Sequence, residues 1–471
     1  MRVLVLGAGY AGVALTRKLE RTLDDDVDLL VVDDTGTHVV QHEVHRVVRK
    51  PQIADHITLD LHELFDRAEV REGTVVDVDT GANEVALADG TVLSYDVGAV
   101  CLGAETAYYD LPGVREHAIP LKRVEDAQRI RASALDAIEA DGHAIVGGAG
   151  LSGIQVAGEL AALVDQLETR TGIDPVDGTG SEDAPGTTPV TISIDDADGD
   201  DADAVDAHPS VDEADGDTDA NGADDRSNAD AADDPASGDA GEDEASTATP
   251  STRRESGDLS VTVLEMQPSV APGFPERFQT AVHETLEAAG VDVRTNATVQ
   301  EATADAVALE DGTELPYDTF VWTGGIAGPE ATDGERIDAR ADLRVGGDTF
   351  VVGDAGRVVD ADGEAVPASA QSAIREARVA AANVEQLVAH RRRDDAGAFE
   401  PRPKRFDFDS PGWLVSIGND AVAQVGPTVL TGRAAVALKA SVGAGYLSGI
   451  GELQNATDLV NDELDLDPGR D

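Results

Sequence analysis

One glycine spacing occurs twice, in "GAGYAG" at residues 7–12 and in "GAGLSG" at 148–153, and each copy follows a short apolar run and opens a segment with apolar residues at helical spacing. "RVLVLGAGYAGVALTRKLERTL" reads as a buried strand, a tight turn and a helix carrying Val13, Leu15, Leu19 and Leu23. "VDLLVVDD" is a second buried strand that ends in acid. Gly12 and Asp33 lie 21 positions apart, close to the roughly 20 expected between the last glycine and the ribose-binding acid of a βαβ nucleotide unit. In such a unit Gly7 makes the turn, Gly9 lets a pyrophosphate approach the backbone, Gly12 lets the helix pack closely, and the helix N-terminus favours the negative charge.

The second copy supplies Gly148, Gly150 and Gly153, but the next acid-terminated strand, "LSVTVLE", reaches Glu265 only 112 positions after Gly153. Between them, from about Asp165 to Asp258, runs a tract of Asp, Ala, Gly, Ser, Thr and Pro in which Arg226 is the only Lys or Arg of residues 195–245. Such a composition buries too little apolar surface to offset ordering entropy, which predicts a disordered insertion. Without residues 165–258 the spacing falls to 18 and an ordinary βαβ unit returns. The insertion then occupies a surface crossover, where a long loop costs little in closure entropy. "VTISI" at 190–194 is a candidate stray strand within it. Glu265 is followed by "MQP" with no basic residue, so a 2′-phosphate would meet a carboxylate without a compensating Arg, and NADH is preferred over NADPH.

The 471 residues allow two or three domains. The balance of 93 acidic against 35 basic residues gives a net charge of −58, which argues against nucleic acid as a partner and fits concentrated salt, where charges are screened over about 3 Å at 1 M. Cys101 is the only cysteine, so no internal disulfide, two-thiol relay or cysteine-based metal cage exists, and no metal site is expected. A first strand at Arg2 leaves no room for a signal peptide, and no apolar run of about 18 residues occurs. A cytoplasmic location is expected. Farther on, "ERFQTAVHETLEAAGVDVRTN" reads as helix then strand, "VALEDGTELPYDTFVWTGGIAG" as a hairpin and a buried strand, "TFVVGDAG" as a strand stopping on Gly-Asp, and "ASAQSAIREARVAAANVEQLVAH" as a long helix.

The ordered set GAGYAG, "AVCLGAET", "PLKRVEDAQRIR", GAGLSG, "VTVLEMQPSVAPGFPERF", "FVWTGGIAG", "VVGDAG" and "SAQSAIREA" resembles the type II NADH dehydrogenases, single-chain NADH:quinone oxidoreductases among the flavoproteins with two dinucleotide-binding domains. The resemblance covers residues 1 to about 390 apart from the insertion. It implies an α/β fold with two Rossmann-like domains of the pyridine-nucleotide oxidoreductase type. An FAD-binding domain would take 1–112 and 320–395, an NADH-binding domain 113–319 interrupted by 165–258, and a membrane-docking or dimerisation region 396–471. FAD would lie on Gly7, Gly9, Gly12, Asp33, Gly103, Gly353 and Asp354, and the co-substrate NADH on Gly148, Gly150, Gly153, Glu265, Gly324 and Gly325. Ala370 and Gln371 would face a quinone.

Several positions depart from the family's pattern. Its alanine-threonine-glycine stretch is Cys101-Leu102-Gly103 here, which makes Cys101 a small buried filler. Its acid on the second glycine helix is Gln155. Glu159, one turn later, either substitutes for that acid or has a solvent-facing or capping role, so Gln155 and Glu159 are the weak catalytic candidates and the flavin carries the chemistry. Gln371 is kept, but later glutamines are Arg375 and Glu376, so Gln371 is read either as quinone-adjacent or as an ordinary helix N-terminal residue. The segment 428–450 offers Arg433 and Lys439 to anionic lipid on the cytoplasmic face of the membrane, or else packs on the protein or on a second subunit. Two rivals to the quinone reductase remain: a soluble flavoprotein reductase of a small redox protein, and a nucleotide-binding regulator with an acidic recruiting arm.

Overall fold

The computed structural model describes residues 1–171, 258–393, 399–410 and 412–464. Strand β1 (Arg2–Leu6) leads through the first glycine turn into helix α1 (Tyr10–Thr22), and then to β2 (Asp28–Asp33), β3 (Glu69–Glu72) and β4 (Val97–Val100). Val3, Leu4, Val5 and Leu6 are buried, as an apolar run covered on both faces of a parallel sheet must be. The chain then crosses to β5 (Ile119–Pro120), α2 (Val124–Glu139), β6 (His143–Gly147), α3 (Leu151–Thr171), β7 (Ser260–Leu264), α4 (Glu276–Ala288), β8 (Val291–Arg294) and β9 (Thr319–Trp322). It returns through β10 (Arg344–Gly346), β11 (Thr349–Val351) and α5 (Ala370–Arg391), and finishes with β12 (Gly412–Ile417), β13 (Asp420–Val425), β14 (Thr428–Thr431), α6 (Gly432–Gly449) and α7 (Leu453–Glu463).

The first sheet has the order β10-β11-β4-β1-β2-β3, with every neighbouring pair parallel except β10 with β11. The second has the order β5-β9-β6-β7-β8, parallel throughout. In each, the strand before the glycine turn is flanked by the next strand in sequence on one side and by a much later one on the other. The strand order therefore reverses at the carboxyl ends of β1 and β6, which is where open α/β sheets bind ligands. The duplication extends further: an antiparallel three-stranded meander precedes the returning strand in both units, at 75–94 before β4 and at 299–316 before β9.

Two boundaries differ from the sequence reading. Helix α3 runs to Thr171, past the expected start of the insertion at Asp165, because Leu163 and Val164 stay buried and Leu167 continues the apolar face. The rest of the acidic tract, including "VTISI", lies outside the described residues. All four residues of Thr319–Trp322 pair with β6 in the second sheet, a strand that the sequence boundary at 319/320 divides.

The C-terminal hairpin α6–α7 packs inward. Ala435, Lys439, Ala440, Gly443 and Leu447 of α6 are buried, and Lys439 is only 5% exposed. Lys439 is therefore no lipid-facing cation: its ammonium lies 3.1 Å from Glu463 and 3.5 Å from Glu43. Arg46 completes this cluster at 2.8 Å from both Glu43 and Glu463 and 2.5 Å from Asp462. Burial pushes Glu43 up, but Lys439 and Arg46 outweigh it and hold its carboxyl below the ordinary range. Arg433, Val442 and Leu453 are exposed. Among the described residues, no helix is long and apolar enough to cross a membrane.

Candidate functional site

Each glycine of the two turns answers a different steric demand. Gly7 has φ +89°, and a Cβ there would lie 2.5 Å from the Cys101 carbonyl oxygen; a Cβ on Gly12 would lie 1.9 Å from the Gly7 carbonyl oxygen. Gly148 has φ +100° and its Cβ would meet Gly324 Cα at 2.8 Å, while that of Gly153 would fall 1.9 Å from the Gly148 carbonyl oxygen. The middle glycines are the exception: a Cβ on Gly9 or Gly150 would meet no protein atom within 4 Å. Close packing of the protein therefore explains the outer glycines and leaves the middle ones for something absent from the chain itself.

The helices behind them support that reading. Neither α1 nor α3 carries an acidic residue in its first turn, and the N-cap Gly9 gives no side-chain cap. In a chain with 93 carboxylates, both helices thus begin without an acidic side chain in the first turn, a fit for phosphate at their amides. The acids at the strand ends are held in matching ways. Asp33 accepts the Ala8 amide at 2.8 Å and the Thr35 amide at 3.0 Å. Glu265, only 5% exposed, accepts the Ala149 and Gln267 amides, both at 2.9 Å. The residues present fit a dinucleotide on each turn.

Around the first turn the structure brings Gly353 and Asp354 beside α1. Gly353 has φ +75°, and its added Cβ would sit 3.1 Å from Ala11 Cβ and 3.2 Å from Ala373 Cβ, wedged between the first turns of α1 and α5. Gly103, also left-handed at φ +70°, has nothing within 4 Å of an added Cβ. Asp354 is half-buried; burial raises its carboxyl above the ordinary range, opposed by the cations of Lys122 and Arg336. Around the second turn Gly324 packs against both Gly148 and Trp322, and Gly325 at φ +153° leaves room for the Tyr109 hydroxyl. Ala370 and Gln371 begin α5, half-buried, behind the N-cap Ser369.

The two weak catalytic candidates fare differently. The Gln155 amide reaches the Ser416 hydroxyl at 3.5 Å, and His45 Nε2 sits 2.7 Å from that same oxygen. Glu159 is neither solvent-facing nor a cap. It is 1% exposed and bonded at 2.6 Å to the Arg49 guanidinium, a structural ion pair that neutralises it. Cys101 is buried, and burial raises its thiol far above the range in which it ionises; it fills space.

Sequence reasoning missed Lys122, Arg336 and Glu376, and a ring cluster over the first turn. Tyr10 hydrogen-bonds His42, the Tyr446 hydroxyl bonds His38 Nε2 at 2.7 Å, and Tyr10 and Tyr446 meet edge-on at 4.9 Å. Burial holds the His38 imidazole down at about 4, so it is neutral at pH 7. "PLKRVEDAQRIR" already contained Lys122, GAGYAG Tyr10 and "SAQSAIREA" Glu376, while Arg336, His38, His42 and Tyr446 lie outside those motifs.

The sequence pattern described as pyridine nucleotide-disulphide oxidoreductase matches residues 1–177 and 237–377. A type II NADH:quinone oxidoreductase of Haemophilus influenzae is 30% identical over 178 residues, 35% of this chain and 37% of that protein, so this alignment spans little more than a third of the relative's length. One of the same name from Staphylococcus epidermidis is 21% identical over 465 residues, 93% of each chain. Among solved structures, NDH2 from Plasmodium falciparum in complex with NADH superposes with a TM-score of 0.66 at 14% identity, covering 98% of this chain and 97% of that one.

Proposed function

Because this chain belongs to the pyridine nucleotide-disulphide oxidoreductase family, we propose that it is an FAD-dependent oxidoreductase that takes hydride from NADH and passes two electrons to a membrane quinone. The observation that carries the reading is the duplicated cradle: two turns with open middle glycines, each beside a helix start free of acid and a carboxylate fixed by backbone amides. The family's disulphide chemistry needs two thiols, and Cys101 is alone. The acceptor is therefore sought outside the chain, and the relatives named quinone oxidoreductases support a quinone.

In this proposal FAD occupies the first turn, on Gly7, Gly9, Gly12, Asp33, Gly103, Gly353 and Asp354, and supplies the hydride acceptor. The α1 amides face its pyrophosphate and Asp33 accepts its ribose hydroxyls. NADH occupies the second turn, on Gly148, Gly150, Gly153, Glu265, Gly324 and Gly325. The Glu265 carboxylate receives ribose hydroxyls and repels a 2′-phosphate, so NADH is chosen over NADPH. Gln371 faces the quinone from the start of α5, and no side chain acts as a nucleophile. Enzyme and quinone meet at the cytoplasmic membrane surface through α6–α7, which exposes Arg433, Val442 and Leu453.

An anaerobic visible spectrum of the purified chain in multimolar salt tests this. A flavin band bleached by NADH and restored by a menaquinone analogue is expected. Bleaching without return moves the acceptor to a soluble redox protein, and the absence of a flavin band overturns the reading.

A further inference from the structure

Six carboxylates are buried among the described residues: Glu43, Glu159, Glu265, Asp348, Asp360 and Glu376. Five are compensated. Glu43 faces Arg46 and Lys439, Glu159 faces Arg49, and Asp348 faces Arg344 and Arg391. Glu265 accepts two backbone amides, and so does Asp360. Glu376 alone has neither a cation within ion-pair distance nor a second donor: its carboxyl accepts one bond, from the Gly353 amide at 2.7 Å. An ionised carboxylate so placed pays its desolvation nearly uncompensated, and the neutral acid is the better occupant.

Its surroundings tie this acid to the first nucleotide turn. Gly353, which it holds, touches Ala11 of α1 and Ala373 of α5. The charged and titratable groups facing it are Asp354 on the same turn, Arg336 ahead of β10, whose Nε donates to the Asp354 carbonyl at 2.8 Å, and the Cys101 thiol after β4. Burial chiefly, with Asp354 adding to it and Arg336 opposing, pushes the Glu376 carboxyl up to about 8.

We propose that Glu376 is a redox-coupled proton site: its carboxyl binds a proton more tightly when the electron pair from NADH resides in the neighbouring cofactor than when it does not. The inference rests on FAD occupying the first turn. The overall balance leaves room for such a site. NADH gives up a hydride, which is two electrons and one proton, and the quinone takes two electrons and two protons to become a quinol, so one proton comes from the medium. Above pH 8, where the carboxyl is ionised before reduction, Glu376 takes a proton from the medium at its free oxygen when negative charge enters the site, and returns it when the pair leaves; below pH 7 it holds its proton throughout. Glu376 acts through the Gly353–Asp354 turn and is a positioning residue.

The test is a potentiometric titration of the flavin-bearing protein from pH 6 to 10, wild type against Glu376→Gln. Glutamine keeps an acceptor for the Gly353 amide and removes the titration. Above pH 8 the wild-type midpoint potential falls more steeply than the variant's by a tenfold change in equilibrium constant per pH unit, about 30 mV for a two-electron couple; below pH 7 the two slopes coincide. Equal slopes throughout overturn the inference while leaving the flavin reading intact, and a chain with no flavin band overturns both. If the variant does not fold, redox-difference infrared spectra of the wild type decide. A protonated-carboxyl band that changes on reduction above pH 8 supports the proposal, since the other buried carboxylates are compensated, and its absence refutes it.

Discussion

At the scale of single residues, the glycines separate what the protein needs for itself from what it needs for a ligand. A methyl group on Gly12 collides with backbone, so Gly12→Ala is expected to yield little folded protein. Gly9→Ala and Gly150→Ala meet no protein atom. Their unfolding free energies without ligand are expected to stay within about 0.5 kcal/mol of wild type, while Gly9→Ala loses FAD on gel filtration and Gly150→Ala raises the NADH KM on the order of tenfold or more. A stability loss in Gly9→Ala equal to that in Gly12→Ala would contradict the assignment. Glu376 gives a pH signature with a definite sign. Its folded-state value of about 8 lies above the ordinary carboxylate value, so in that window the unfolded chain ionises while the folded chain keeps its proton. Wild type therefore loses stability relative to Glu376→Gln as pH rises from about 4.5 to 8, by at most about 1.4 kcal/mol per pH unit, and denaturant midpoints measured across that range check it.

At the scale of elements, the strand-turn-helix units were legible because their signals are local: a buried strand, three glycines and an apolar helix face lie within two dozen residues, and an acid closes the spacing. The C-terminal hairpin was not. Glu43, Arg46, Lys439 and Glu463 look like surface charges in sequence, and only their meeting across α6, α7 and residues 41–48 makes them a buried cluster. Glu159 and Glu376 stood out in sequence only as departures from the family's pattern; the Arg49 partner of the one and the burial of the other against Gly353 were opaque for the same reason. Lys439→Met removes one cation from Glu43 and Glu463 and is expected to destabilise the protein by about 3 kcal/mol, with limited proteolysis releasing α6–α7 first, whereas Arg433→Ala leaves stability unchanged and lowers binding to anionic vesicles. Acid acts on the same cluster. The contribution of Glu43, whose carboxyl is held below the ordinary range, is fully present above about pH 4.5 and is lost as pH falls below it, so α6–α7 is expected to become protease-sensitive on acidification.

At the scale of the whole molecule, the net charge of −58 makes low salt destabilising, since self-repulsion reaches about 10 Å at 0.1 M and about 3 Å at 1 M. Dilution from multimolar to 0.1 M salt is expected to lower the thermal midpoint, and an unchanged midpoint would argue against salt adaptation. Deletion of residues 172–257, which keeps α3 and β7 whole and leaves 26 positions between Gly153 and Glu265, is expected to leave NADH turnover within about twofold of wild type, because only crossover chain outside the two elements is removed; loss of turnover would favour a recruiting role for the tract. The closure of the first sheet has another consequence. His38 and its partner Tyr446 are 408 residues apart in sequence, and β11, which borders β4, is also made late in translation. A ribosome therefore releases the first glycine turn long before the elements that complete its surroundings exist. The nascent unit has to wait, half-built, for almost the entire remainder of the polypeptide, so its cofactor is captured after synthesis rather than during it, and folding is slow in the manner of chains dominated by distant contacts.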